Sequence, residues 1–368
     1  MSEILIINLR RFGDIISSAH LINSLAAADP GNHISLLINQ EFEKATEIIR
    51  PIEVVYAINR KHILTLFNNE IFSDALALEE FWETLSVLKN KKWDKIINYS
   101  NDPVSTYLTS YLLHGREEST YVGLKYAKNN IAIPSSDWAI IFNDVLTSYP
   151  YTPIHFLDCY HKMADVAYAS PAEILLNEKE HESTVRNNFK QIRQKHAESG
   201  QEIKIIGLQL KTSESDKDIP FEVISDLIDK ILDHPQYYPV LLIAPNEDER
   251  TYAAAINKNF MNSLVTIEAD FLAVTSVIKN LDLLLTPDTV IKHIADLLEV
   301  PTIEIALGAA PFLKQGTCNP GNLLLRSPNS ITAEEIIQTV NYFFNKGQQA
   351  LPSLVSGRIV RINRIIHS

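Results

Sequence analysis

Two strand-to-helix junctions and one loop lysine hold the residue types best suited to chemistry in this chain. At the first junction the apolar run Ile4-Leu5-Ile6-Ile7 passes through Asn8-Leu9-Arg10-Arg11-Phe12 to Gly13-Asp14 and an apolar helical segment. A carboxylate at a helix start is fixed in place and kept ionised by the positive end of the helix dipole. Asp14 is therefore suited to take a proton from an attacking hydroxyl, although the same pattern describes an ordinary helix N-cap. At the second junction, Thr286-Pro287-Asp288-Thr289-Val290-Ile291-Lys292-His293, Asp288 and Thr289 are expected in the first helical turn, with His293 over a turn further on. Backbone N–H groups at such a start suit a phosphate or pyrophosphate, and the Thr289 hydroxyl adds a donor. A capped helix with a surface histidine is the plainer alternative. Lys217 follows a strand-like run in a polar loop. It is placed either to neutralise an anionic leaving group or simply to be solvated. Arg10, Arg11, Arg60 and Lys61 add local positive charge to the first half of an acidic chain.

Alternating elements must position these groups. In the first half, strands are predicted at Glu3–Leu9, His33–Asn39, Glu53–Ile58, Asp94–Tyr99 and Ile131–Pro134. Ile15, Ala19, Ile22 and Ala26 recur at helical spacing after the first of them, and Pro30-Gly31-Asn32 ends that unit. The second half restarts the pattern. Its strands are predicted at Lys204–Leu210, Pro239–Ala244, Leu264–Ile267, Leu281–Thr286, Thr302–Ala306 and Asn322–Arg326. Helices are predicted at Phe221–Leu232, Glu247–Asn259, Phe271–Lys279, Asp288–Leu298 and Ala333–Lys346, with a solvated helix in Asn177–Gly200 near the junction. Such alternation predicts parallel sheets covered on both faces, and two rounds of it predict two doubly wound domains. The ligand edge of such a sheet lies at the carboxyl ends of its strands, where Asp14, Lys217 and Asp288 all fall.

Bulk properties narrow the function. The chain has 368 residues, 46% hydrophobic and 21% charged, enough for two cores. A net charge of −12 argues against general nucleic-acid binding. Cys159 and Cys318 form neither a disulfide framework nor a zinc spacing, so reduced thiols and a cytoplasmic location are expected. No signal-peptide pattern or membrane-spanning apolar run is present in the sequence. Gly13 stands alone after the first strand, without the G-x-G-x-x-G of a dinucleotide-binding enzyme.

The two junctions together resemble those of glycosyltransferase family 9, the ADP-heptose:lipopolysaccharide heptosyltransferase type. That family has Gly-Asp at its first junction and Asp-Thr-Gly-x-x-His at its late one. Other segments fit in the same order: Trp93-Asp94-Lys95-Ile96-Ile97-Asn98, Tyr121-Val122-Gly123-Leu124, Gly207-Leu208-Gln209-Leu210, Lys217-Asp218-Ile219-Pro220, and the turn from Gly316 to Gly321-Asn322. The resemblance covers about residues 3–330. It implies an α/β GT-B architecture, two doubly wound Rossmann-like domains facing a cleft. Residues 1–170 would form the acceptor domain and 171–330 the nucleotide-sugar domain, with 331–368 forming a helix and tail that pack back toward the first domain.

The resemblance also implies inverting, metal-independent transfer of a sugar, heptose first, from a nucleoside diphosphate to a hydroxyl of a surface glycan such as the lipopolysaccharide core. A protein acceptor (an adhesin or flagellin) and a non-catalytic sugar-nucleotide binder are the alternatives. Asp14 matches the base and Lys217 supports the leaving group. Gly13, Thr212, Asp288, Thr289 and His293 are assigned to the donor. Arg10, Arg11, Arg60 and Lys61 are assigned to an anionic glycan or glycolipid acceptor. No cofactor is expected beyond the substrate nucleotide sugar, ADP-heptose being the first candidate. Asp216-Lys217-Asp218 spells the Asp-x-Asp that holds a metal in another class of glycosyltransferases, but here it sits in the second domain, in a polar loop before a Pro-started helix, and the fold reading is different, so it is read as coincidence.

The chain departs from the family at Val290, where glycine is usual, at Ile219, where tryptophan is usual, and at Leu307-Gly308-Ala309-Ala310. In the tail, Arg358, Arg361 and Arg364 recur beside Ile359, Ile362 and Ile365. On a helix this gives adjacent basic and apolar stripes. These would either pack against the protein or seat the enzyme on the anionic inner face of a membrane.

Overall fold

The structure, a computed structural model, describes residues 2–68, 71, 73–116, 118–146, 152, 154–169, 181–197, 200, 202–308, 312–327, 330–345 and 358–361. The chain divides into two compact units near residue 175.

The first unit contains the strands β1 (Glu3–Ile7), β2 (His33–Asn39), β3 (Val54–Ile58), β4 (Lys95–Asn98), β5 (Thr120–Val122), β6 (Leu124–Tyr126) and β7 (Ala132–Pro134). Its helices are α1 (Phe12–Ala28), α2 (Arg60–Phe67), α3 (Ser73–Asn90), α4 (Pro103–Leu113), α5 (Asp137–Ile140) and α6 (Phe156–Ala164). The parallel sheet runs β3-β2-β1-β4-β5, so the order reverses between β1 and β4. Ile4 to Ile7 are buried because the central strand is covered on both faces. The segment Ile131–Pro134 is correctly extended, but it pairs antiparallel with β6 outside the main sheet. Tyr121-Val122 belongs to β5, which the sequence pattern does not single out as a strand.

The second unit contains β8 (Lys204–Gln209), β9 (Tyr237–Ile243), β10 (Val265–Glu268), β11 (Leu283–Pro287), β12 (Thr302–Ala306), β13 (Leu323–Arg326) and β14 (Arg358–Arg361). Its helices are α7 (His181–Ala197), α8 (Phe221–Leu232), α9 (Glu247–Asn259), α10 (Phe271–Lys279), α11 (Val290–Leu297), α12 (Phe312–Gln315) and α13 (Ala333–Phe344). The strand order is β10-β9-β8-β11-β12-β13-β14, reversing between β8 and β11. The helix α7 is not merely solvated. Phe189 is buried, and Arg193 donates to the Ile203 and Asn280 carbonyls and pairs with Asp282 at 2.8 Å.

Residues 358–361 correct the helical reading of the tail. They form a strand paired antiparallel with β13, Arg358 opposite Arg326 and Arg361 opposite Leu323. An unpaired strand edge offers backbone partners that an isolated short helix lacks. The rest of the tail lies outside the described residues. Among the described residues, no helix is long and apolar enough to cross a membrane.

Candidate functional site

Each unit presents a polar cluster at the point where its sheet reverses order. This is the position at which open α/β sheets bind ligands.

In the first unit the turn after β1 is bound on both sides. Asn8 is fully buried; its N–H donates to the Leu37 carbonyl at 2.9 Å, and its side-chain amide donates to the Asp14 carbonyl at 3.1 Å. Leu9 N–H donates to the Ser100 hydroxyl at 2.7 Å. The Arg10 guanidinium donates to the Ser100 carbonyl from Nε at 3.0 Å and from Nη2 at 2.8 Å. Arg10 therefore straps the β1 turn to the β4 turn, which gives this proposed acceptor residue a positioning part. Arg11 is the N-cap of α1, has an extended backbone and makes no side-chain cap bond. The helix starts at Phe12, so Gly13 lies within the first turn and not in a preceding tight turn, and Asp14 is the third helical residue and not the cap. Behind it, Tyr160 is fully buried, stacked on Tyr99 at 3.8 Å, and donates to the Tyr99 carbonyl. Burial raises its phenol well above the ordinary range; Arg10 opposes the shift and the Asp14 carboxylate adds to it. Asp14 and Arg10 thus both act electrostatically on the same buried phenol.

Arg60 begins α2 and lines a cavity of about 640 Å³ together with Leu9 and Asn39. Its guanidinium lies 4.0 Å from Glu41, and the Lys61 ammonium is 3.4 Å from the same carboxylate.

In the second unit the loop after β8 meets the end of β11. Lys217 Nζ lies 3.0 Å from Asp288 Oδ2 and 3.0 Å from Glu214 Oε2. Asp288 Oδ1 accepts from Lys292 Nζ at 2.6 Å. Lys292 is fully buried and also reaches Glu304 at 3.3 Å and the Gln315 carbonyl at 2.8 Å. Burial opposes the charge on Lys217, but Glu214 and Asp288 outweigh it and hold the ammonium above its ordinary value. Burial also opposes ionisation of Asp288, yet Lys292 and Lys217 together keep it well below the usual carboxylate range. Burial pushes Glu304 up to about 7 against the pull of Lys292. Anionic Asp288 is thereby neutralised from two sides.

Asp288 and Thr289 lie just before the first turn of α11, because the helix begins at Val290. Thr289 is the N-cap but makes no side-chain cap bond; its hydroxyl is 3.2 Å from that of Thr286. The first N–H groups of α11 are thus not taken by their cap residue. His293 is half-buried in the first turn. Thr212 braces the lysine loop, its N–H donating to Asp218 at 2.7 Å and its hydroxyl to the Glu214 carbonyl at 2.5 Å. Asp218 is therefore engaged inside the loop. Gly308, at φ +55°, lets this loop approach β12: a Cβ there would stand 2.7 Å from the Asp216 carbonyl oxygen. Ala309 and Ala310 lie outside the described residues.

Sequence reasoning assigned no role to Asn8, Ser100, Tyr160, Lys292 or Glu304. Two of them carried a signal, Lys292 on the buried stripe of α11 and Glu304 in the middle of the apolar run of β12.

Residues 84–307 match the model of glycosyltransferase family 9 (heptosyltransferase). No curated protein sequence matches the chain. Among solved structures, the Escherichia coli heptosyltransferase WaaC with ADP superposes with a TM-score of 0.63 at 15% identity, covering 93% of this chain and 99% of that one. The same enzyme with ADP-2-deoxy-2-fluoro heptose gives 0.59 at 16%, covering 92% and 99%. The E. coli ADP-heptose lipopolysaccharide heptosyltransferase II gives 0.59 at 14%, covering 94% and 100%. These likenesses show a shared GT-B fold, and the family match spans more than half of the sequence. The chain belongs to glycosyltransferase family 9, the heptosyltransferase family.

Proposed function

We propose that this glycosyltransferase moves heptose from ADP-heptose to a hydroxyl of an anionic surface glycan such as the lipopolysaccharide core, with inversion at the anomeric carbon and without a metal. The observation that carries the reading is the Lys217–Asp288 pair at the strand-order reversal of the second sheet. It puts a fixed cation beside the uncapped start of α11, a combination suited to a diphosphate. Family membership and the ADP-containing relatives support the choice of nucleotide.

Asp14 takes the proton of the acceptor hydroxyl as that oxygen forms its bond to the anomeric carbon. The bond from that carbon to the β-phosphate oxygen breaks, and the electron pair leaves with ADP. Lys217 and the N–H groups of α11 stabilise that growing charge. Thr212 holds the lysine loop in shape. Asp288, kept ionised by Lys292, is placed to accept from a donor hydroxyl, with Gly13 and His293 assigned to the donor as well. Arg11, Arg60 and Lys61 supply the acceptor's positive field, and Arg10 fixes the turn after β1. No cofactor is needed. A lipid-linked acceptor would be met at the inner face of the cytoplasmic membrane.

A thermal-shift series with ADP, ADP-heptose, UDP and UDP-sugars tests the donor. A true donor at a hundred times its Kd stabilises the native state by about 2.7 kcal/mol. Stabilisation by ADP and ADP-heptose alone supports the reading, and a UDP-sugar preference or no shift overturns it.

A further inference from the structure

The 640 Å³ cavity of the first unit lies at the carboxyl ends of β1, β2 and β3, where Leu9, Asn39 and Ile58 contribute to its wall. Ile58 and Ala77 are each 5% exposed and form its floor. Leu64, Phe67, Leu78 and Val104 line the same cavity yet are 48%, 58%, 66% and 55% exposed. Large apolar side chains that both line a cavity and meet solvent make an apolar mouth, and contiguous exposed apolar surface of this kind marks a binding site.

The wall offers a guest little hydrogen bonding. The Asn39 side-chain amide donates to the Leu9 carbonyl at 2.8 Å. The Asp102 carboxylate accepts from Val104 and Ser105 N–H at the start of α4. Among the described residues, none of the buried side-chain polar atoms left without a partner lies in this wall. Arg60 is the one cation in the lining, against Asp74, which is exposed, and Asp102, whose carboxylate is taken up at the start of α4, so the wall selects no anionic guest and hydrocarbon decides. The volume is that of a small-molecule site.

Leu9 connects this pocket to the proposed chemistry. It lines the cavity, its N–H is bonded to Ser100, and Arg10 follows it directly in the turn that leads to Asp14. We propose that the pocket holds a hydrocarbon chain of a lipid-linked acceptor, with Leu9 joining it to the turn that carries Asp14. This deepens the function proposed above, and it rests on that reading for its place on the acceptor side. A chain seated here anchors the lipid end of the acceptor while its sugar hydroxyl is presented to the base.

The test is calorimetric binding of n-alkyl maltosides, hexyl to dodecyl, below their micelle concentrations and without donor. Affinity is expected to rise about fourfold per added methylene until the pocket is full. Ala77→Phe fills the floor and should flatten that slope. Val104→Asp provides a second variant that leaves the core intact: Val104 is exposed, and an acid suits the first turn of α4. It should weaken dodecyl maltoside at least tenfold and hexyl maltoside little. Absence of a chain-length slope in the wild type, or a slope unchanged in Val104→Asp, overturns the proposal. So does self-association that Val104→Asp abolishes while maltosides fail to bind. The binding slope needs no turnover, so a separate transfer assay keeps the two readings apart: failure of glycosyl transfer with an intact slope would remove the proposed function's base and donor assignments and leave the pocket. Transfer without a slope would remove the pocket alone.

Discussion

Lys217 Nζ and Asp288 Oδ2 lie 3.0 Å apart across the strand-order reversal of the second sheet, one residue following β8 and the other β11. Asp288 is also held by Lys292, so in the reaction proposed above the Lys217 ammonium would exchange its carboxylate for a diphosphate without leaving Asp288 unpaired.

Lys217→Ala is therefore expected to cut kcat by about 10²–10³-fold, the size seen when one transition-state charge partner is lost. Nucleoside diphosphate affinity should fall in the same variant. The fold should persist, since Asp288 keeps Lys292. Steady-state kinetics with and without EDTA check this. A chelator effect reversed by magnesium or manganese would instead give the Asp216–Asp218 segment the metal role.

Asp14→Asn and Asp14→Ala should reduce transfer by 10²–10⁴-fold, the usual contribution of a general base, while ADP binding stays near wild type. Single-turnover assays beside calorimetry decide it. Activity within about tenfold of wild type removes Asp14 from the role.

Most of the α/β framework was legible before any coordinates. The predicted helices Phe221–Leu232, Glu247–Asn259 and Phe271–Lys279 match the observed spans because each start is marked locally: Asn246 and Asp270 bond the third helical N–H, and Pro220 precedes α8. What failed was set by distant partners. The strand β5 has three residues, and only its pairing with β4 defines it. Arginines spaced by three suggested a helix at 358–361, but the open edge of β13 made that segment a strand. At the site, Asp14, Lys217 and Asp288 were read from position, whereas the function of Lys292 depends on Glu304 and Gln315, which approach only through the fold.

The buried Lys292–Glu304 pair predicts a pH dependence of stability. Glu304 is raised from 4.5 to about 7, so the folded state holds its proton more tightly than the unfolded state. Its contribution is fully present below pH 4.5 and is lost as the pH rises through 7, amounting to about 3 kcal/mol. Asp288 acts in the opposite sense: its contribution is present above about pH 4 and is lost as the solution becomes more acidic. Urea denaturation between pH 4.5 and 8 should show the first decline in wild type and a flatter profile in Glu304→Gln.

Asp296 is fully buried in α11 and organises the turn from Gly316 to Asn322. Its carboxylate accepts from the Thr317 hydroxyl at 2.6 Å, from Cys318 N–H at 3.1 Å and from the Asn322 amide at 3.2 Å. Asp296→Ala strands these donors and should cost about 3–5 kcal/mol, the range for a broken buried charged network. The variant's urea midpoint checks this. A loss below 1 kcal/mol would mean that water replaces the carboxylate.

The pairing of β14 with β13 has a consequence for the protein in a crowded solution. Leu323, Leu324 and Leu325 make β13 an apolar strand, and with its outer backbone groups open it would be a template onto which a second chain could add. The chain's own segment Arg358–Arg361 occupies that edge in antiparallel sense and begins and ends in arginine. At the opposite edge β10 is only four residues long and ends at Glu268, gripped by Arg250 at 2.7 and 2.8 Å. Both borders of the sheet are thus four-residue strands that carry charge, β10 ending at Glu268 and β14 with an arginine at each end, a composition that blunts strand-to-strand aggregation.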